Sequence, residues 1–156
     1  MRRGFTMIEL IFVIVILGIL AAVAIPKLAA TRDDAKISKL AANVSTLVSD
    51  AGAYYTSQGE TNWGNAQWGD ITNVELYTDK KGNTSAKTTG ITAGSVYIVA
   101  DPGSSSDSDC FKIDATSDGN LTVATGSNTG TVCSGAQELA ADLLKTHSFG
   151  GRGIVR

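Results

Sequence analysis

The apolar positions change their pattern three times along the chain. Residues 10–25 carry no charge and no proline, and residues 5–26 hold only one charge, Glu9. That length is close to the ~20 residues a helix needs to cross a bilayer, so the segment predicts a membrane-spanning helix. Beyond Pro26 the apolar residues become one-sided. Leu28, Ile37, Leu40, Val44, Leu47, Val48, Ala51 and Tyr55 recur mainly at steps of three and four, the spacing of an amphipathic helix. The helix is expected to run from about Thr6 to Tyr55 with Gly59 as its stop, loosened at Pro26, which removes a backbone donor. From Ser57 onward the chain is rich in Gly, Ser, Thr, Asn and Asp, and short alternating runs replace the helical period: NVELYT at 73–78, SVYIVA at 95–100, CFKIDAT at 110–116 and NLTVAT at 120–125. The last two flank Asp118-Gly119, a hairpin signal, which predicts an antiparallel meander on the apolar face of the helix. Trp63 and Trp68 are expected as plugs between helix and sheet. The segment from Ser134 to the glycines at 150 and 151 is expected to form a short C-terminal helix. The fold class is therefore α+β.

Composition narrows the chemistry. The chain has 156 residues and a formal charge of −2, too mild for a nucleic-acid binder by charge alone. Lys80, Lys81 and Lys87, with Tyr77 and Tyr97 as stackers, are the one basic cluster in the polar half, and charged loops of this kind are usually just solvated. The two cysteines, Cys110 and Cys133, and the single His147 are too few for a four-ligand zinc site. If this half lies outside the cytoplasm, one disulfide is favoured over two free thiols. Asp101, Asp107 and Asp109 lie in the serine-rich loop ADPGSSSDSDC. Such oxygen-rich loops can hold calcium, but the spacing fits no defined loop motif and a solvated turn is the plainer reading. The lone histidine and the lack of a nucleophile motif argue against an enzyme.

Glu9 is the anomaly. A carboxylate in an apolar span must reach the interface, become protonated or find a cation. Arg2 and Arg3 before the apolar run also suit a secretory signal peptide, but LAAVAIPKLAATRDD continues directly into helix-forming sequence without a convincing cleavage site. With those arginines on the cytoplasmic side, everything after the span faces outward.

The stretch RRGFTMIEL followed by the long apolar run resembles the class III signal of type IV pilins and type II secretion pseudopilins. The resemblance covers roughly residues 2–36. It implies cleavage between Gly4 and Phe5 by a prepilin peptidase, with N-methylation of the new terminus. It also implies an assembly role for Phe5 and for Glu9, fifth after the cut, and a helix-loosening role for Pro26. The implied organisation is a leader at 1–4, a transmembrane and assembly helix at 5–26 and a periplasmic or extracellular head at 27–156, amphipathic helix to about 56 and then β-sheet. A disulfide-bounded C-terminal region is part of that layout. Identical or homologous subunits in a helical filament, the peptidase and an inner-membrane assembly platform are the implied partners. No cofactor follows, calcium in the aspartate loop aside. The expected location is the inner membrane before assembly, then a surface pilus or a periplasmic pseudopilus. A solitary membrane-tethered binding protein is the competing reading, and it would keep its leader.

Overall fold

The computed structural model describes residues 4–150. Arg2 and Arg3 of the expected leader and the RGIVR tail lie outside that range. The chain divides between Ala35 and Lys36 into two compact units, and helix α1 (Met7–Asn65) contributes to both.

In the first unit the apolar side chains of α1 are exposed on every side: Phe12 is 66% exposed, Val23 69% and Leu28 68%. A helix that is apolar all round is stable only when lipid or protein surrounds it. Its length and hydropathy suffice to cross a membrane. Pro26 lies inside α1 and the backbone stays helical through it, since Gly59 is the one non-helical position in α1. Leu28, expected on the buried stripe, belongs instead to this exposed segment.

The second unit has its own core. Leu40, Val44, Leu47 and Ala51 of α1 are buried, their steps of four, three and four laying one stripe along the helix. At Gly59 the backbone adopts φ +76°, and the chain then resumes helix to Asn65. Glycine reaches this left-handed conformation without a Cβ penalty. The expected stop is thus a break within α1, which runs on to Asn65 rather than ending near Tyr55. The second stretch carries Trp63, fully buried, whose indole N–H donates to the Thr116 carbonyl at 2.8 Å. Tyr55 and Phe149 meet Trp63 edge-on, with ring centroids 5.7 and 5.9 Å away. Trp68, also buried, opens the short helix α2 (Trp68–Ile71).

Four antiparallel strands follow in sequence order: β1 (Val96–Val99), β2 (Asp109–Ala115), β3 (Asn120–Thr125) and β4 (Thr146–Ser148). Val96 faces Ile113, which faces Val123, and all three are buried in one layer of the core. The β2–β3 turn closes with Gly119 at φ +82°, as Asp118-Gly119 predicts. A bulge between Ile98 and Val99 shifts the β1–β2 register. Bulges re-aim side chains, and here Asp109, Cys110 and Phe111 are all buried in succession.

Two further expectations need correction. NVELYT forms no strand: Tyr77 alone bridges, to Tyr97 and to Ser85, while the Asp79 carboxylate caps the backbone N–H groups of Asn83 and Thr84 and turns the chain away. This bridge covers part of the outer edge of β1, which would otherwise present unpaired backbone. The C-terminal helix α3 (Thr131–Leu139) starts before Ser134, with Gly130 as its cap, and ends well short of Gly150. A 3₁₀ turn (Ala141–Leu143) and β4 occupy the remainder. Lys36 Nζ forms an ion pair with Asp101 Oδ1 at 2.6 Å.

On the outer sheet face, Asp114 lies 2.9 Å from Lys112 Nζ and accepts the Ser95 hydroxyl at 2.5 Å. Burial alone would raise the Asp114 carboxyl, but the Ser95 hydroxyl and the Lys112 ammonium outweigh it and hold the pKa below the ordinary carboxylate value. A depressed folded-state pKa contributes stability above the unfolded pKa and loses it as pH falls through the folded one. Asp114→Asn is therefore expected to flatten the acid limb of the stability curve below about pH 4, measured by urea unfolding at stepped pH. An unchanged limb would remove the role assigned to this pair.

Candidate functional site

The N-terminus of α1 is built by a reciprocal cap. Thr6 precedes the first helical residue, and its hydroxyl oxygen accepts the Glu9 backbone N–H at 3.3 Å. Glu9 Oε2 reaches back to accept the Thr6 backbone N–H at 2.8 Å and the Thr6 hydroxyl at 2.8 Å. This is a capping box, Thr-x-x-Glu, which satisfies donors that every helix start leaves open. The spacing is visible in TMIE, where a carboxylate in an apolar run reads first as a misplaced charge. Both oxygen contacts fall on Oε2, so among the described residues Oε1 accepts no hydrogen bond.

Gly4 and Phe5 lie just outside the helix. Phe5 is 88% exposed, and a Cβ placed on Gly4 would meet nothing within 4 Å. Among the described residues, nothing packs over the 4–5 peptide bond. Pro26 is distant from it in sequence and its side chain carries no polar group.

The second constellation lies where β2 begins. Cys110 and Cys133 form a disulfide with Cα atoms 4.8 Å apart, tying β2 to α3. Gln137 adds a second tie, donating to the Cys110 carbonyl at 2.8 Å. The bridge spans a sequence separation of 23, which the chain-entropy model values at about 3 kcal/mol. Cys133→Ser is expected to cost about that amount, read as a lower urea midpoint followed by tryptophan fluorescence. Beside it the Asp109 carboxylate, 1% exposed, accepts the Ser127 N–H at 2.8 Å and the Ser127 hydroxyl at 2.7 Å. Lys80 Nζ donates to that hydroxyl oxygen at 3.0 Å and lies 4.0 Å from Asp109.

These contacts bear on the calcium expectation. Asp101 is spent on Lys36, Asp109 turns inward onto Ser127, and Asp107 is exposed on the loop. The three aspartates are not brought together, and no metal-holding group of three His, Cys, Asp or Glu side chains occurs among the described residues. The bulge supplies the reason, because it faces Asp109 to the core. Of the basic cluster, Lys80 donates to Ser127 and lies 6.0 Å from the centre of the Tyr97 ring, leaving that ring less open for stacking. His147 is bonded to the Leu143 carbonyl at 2.9 Å.

Residues 1–25 match the family model of the prokaryotic N-terminal methylation motif. Neither the curated proteins nor the solved structures contain a significant match to the chain. The matched residues include the open 4–5 bond, the capping box and most of the exposed apolar helix. The chain thus carries the class III signal of the type IV pilin and pseudopilin family.

Proposed function

We propose that the protein is a structural subunit of a type IV pilus-like filament, cut between Gly4 and Phe5 by prepilin peptidase and polymerised through α1. The observation that carries this reading is the conjunction, within one matched segment, of an accessible Gly4–Phe5 bond, a capped Glu9 and an all-round apolar helix. Before assembly, lipid covers the helix, with Arg2 and Arg3 inside and the head outside. The Cys110–Cys133 bridge fits an oxidising compartment. In the filament, neighbouring helices replace lipid. That exchange gains little from hydrophobicity, because lipid tails are already apolar. Close packing and polar pairing must therefore supply the preference. Glu9 is suited to this, since Oε2 fixes the start of its own helix while Oε1 remains to accept the Phe5 ammonium of a neighbour. The role is one of register as much as of affinity.

A pseudopilin of a type II secretion system is the second reading, since the signal is common to both. The disulfide-bounded C-terminal region favours a pilin. A solitary tethered binding protein would need no cut. The deciding measurement is the mass of the N-terminal peptide from protein isolated from its own membranes. A peptide beginning at methylated Phe5 is expected; one beginning at Met1 would overturn the proposal.

A further inference from the structure

The chain contains three Asn-x-Ser/Thr triplets, Asn43-Val44-Ser45, Asn83-Thr84-Ser85 and Asn120-Leu121-Thr122, the minimal acceptor for asparagine-linked glycans. Their surroundings differ. Asn43 lies in the middle of α1 and is half-buried, with its backbone committed to the helix. Asn83 is exposed on the turn capped by Asp79, with Lys81 two residues before it. Asn120 opens β3 at the hairpin turn, with an acidic residue, Asp118, two positions earlier.

We propose that Asn120 is a site of asparagine-linked glycosylation. An amide nitrogen is a poor nucleophile because its lone pair is delocalised into the carbonyl, and a carboxylate that accepts one of its N–H bonds raises the electron density on it. Asn120 has such a carboxylate, Asp118 Oδ2, at 2.8 Å from Nδ2. The side chain carries two N–H bonds, and the second finds no acceptor among the described residues. Replacing that hydrogen with a sugar leaves the Asp118 bond in place, so the modified residue keeps its folded geometry. The Ser148 hydroxyl, bonded to Asn120 Oδ1 at 2.5 Å, is also undisturbed. Asn120 and Thr122 are two residues apart on one strand and so share a face. Both are partly exposed there, the Thr122 hydroxyl sharing a hydrogen bond with that of Thr146 at 2.9 Å, so amide and hydroxyl lie side by side at the surface. Asp118 itself is exposed and completes an acidic-x-Asn-x-Thr acceptor, a more demanding pattern than the bare triplet.

The donor is a glycan on a polyprenyl diphosphate, available on the outer side of the membrane. The amide nitrogen attacks the anomeric carbon and a C–N bond forms. The C–O bond to the diphosphate breaks, and the polyprenyl diphosphate leaves with the electron pair. The amide proton passes to a base of the transferase. The inference rests on the outward placement of the head proposed above.

Full-length chain recovered from its own cells, reduced and digested with trypsin, tests the site. The peptide of residues 113–145 is expected to carry a glycan mass that fragmentation places on Asn120. Asn120→Gln is expected to lose it entirely, Asp118→Asn to lower occupancy at least tenfold, and Asn83→Gln to leave it unchanged. If Asn120→Gln fails to accumulate, fragmentation of the wild-type peptide decides alone. An unmodified 113–145 peptide, or a glycan on Asn43 or Asn83 instead, overturns the proposal. The N-terminal peptide from the same digest reports leader removal independently, so failure at Asn120 is distinguishable from failure of the filament reading.

Discussion

Filament formation is expected to fail in both Glu9→Ala and Glu9→Gln, while each variant stays membrane-bound and loses its leader. The two substitutions separate the two roles of the side chain. Alanine removes the capping box and the charge together. Glutamine retains a carbonyl oxygen that can accept the Thr6 N–H now held by Glu9 Oε2, so the start of the helix survives while the charge does not. Capping is worth about 1 kcal/mol. Pairing of a carboxylate that would otherwise face hydrocarbon is worth about 3 kcal/mol, the order of its insertion cost, or about two orders of magnitude in association per subunit. The pairing term decides. Sheared surface filaments counted by electron microscopy, with leader removal followed by mass, distinguish the outcomes. Wild-type filament yield from Glu9→Gln would show that the cap, not the charge, is what assembly needs.

The second large effect is expected from Gly126→Ala. A Cβ at this position would lie 2.1 Å from the Asp109 carbonyl oxygen and 2.8 Å from the Cys110 carbonyl carbon. Both neighbours are backbone, so no rotamer change relieves the overlap and the end of β3 must move. That movement would break the Gly126 N–H bond to the Cys110 carbonyl at 2.8 Å and pull Ser127 from the buried Asp109 carboxylate. Overpacking costs about 1–3 kcal/mol, and a buried carboxylate left without its partners costs about 3 kcal/mol or more. With partial relaxation, a loss of about 4 kcal/mol is expected, larger than that for Cys133→Ser. Trp63 and Trp68, both in the core, report it as a fall in urea midpoint. A loss under about 1 kcal/mol would mean that the corner yields without cost.

The legible parts of the fold are those in which a local pattern and the tertiary environment agree. Leu40, Val44, Leu47 and Ala51 announce a helical stripe, and the core accepts it. Asp118-Gly119 announces a turn that only the β2–β3 pairing could use. Where one signal has two physical outcomes, the sequence is mute. Gly59 can end a helix or break one in two, and burial of Trp63 beyond it is a tertiary fact. NVELYT alternates like a strand, yet its only bridging residue is Tyr77. Strand β4 is three residues long, too short for any period to register, and it is held by pairing with β3. At the candidate site, Glu9 stood out because a charge in an apolar run has no bland explanation. The inward turn of Asp109 depends on a bulge, which shows only when two strands are laid side by side.

Among the described residues the buried core begins at Leu40 and includes no member of the exposed apolar segment. Anchorage and folding are therefore thermodynamically separate. In the proposed filament, the anchor would exchange one non-aqueous solvent for another, acyl chains for neighbouring helices, without drawing on the few kcal/mol that keep a small domain folded. On the filament reading, the head would stay folded through that exchange.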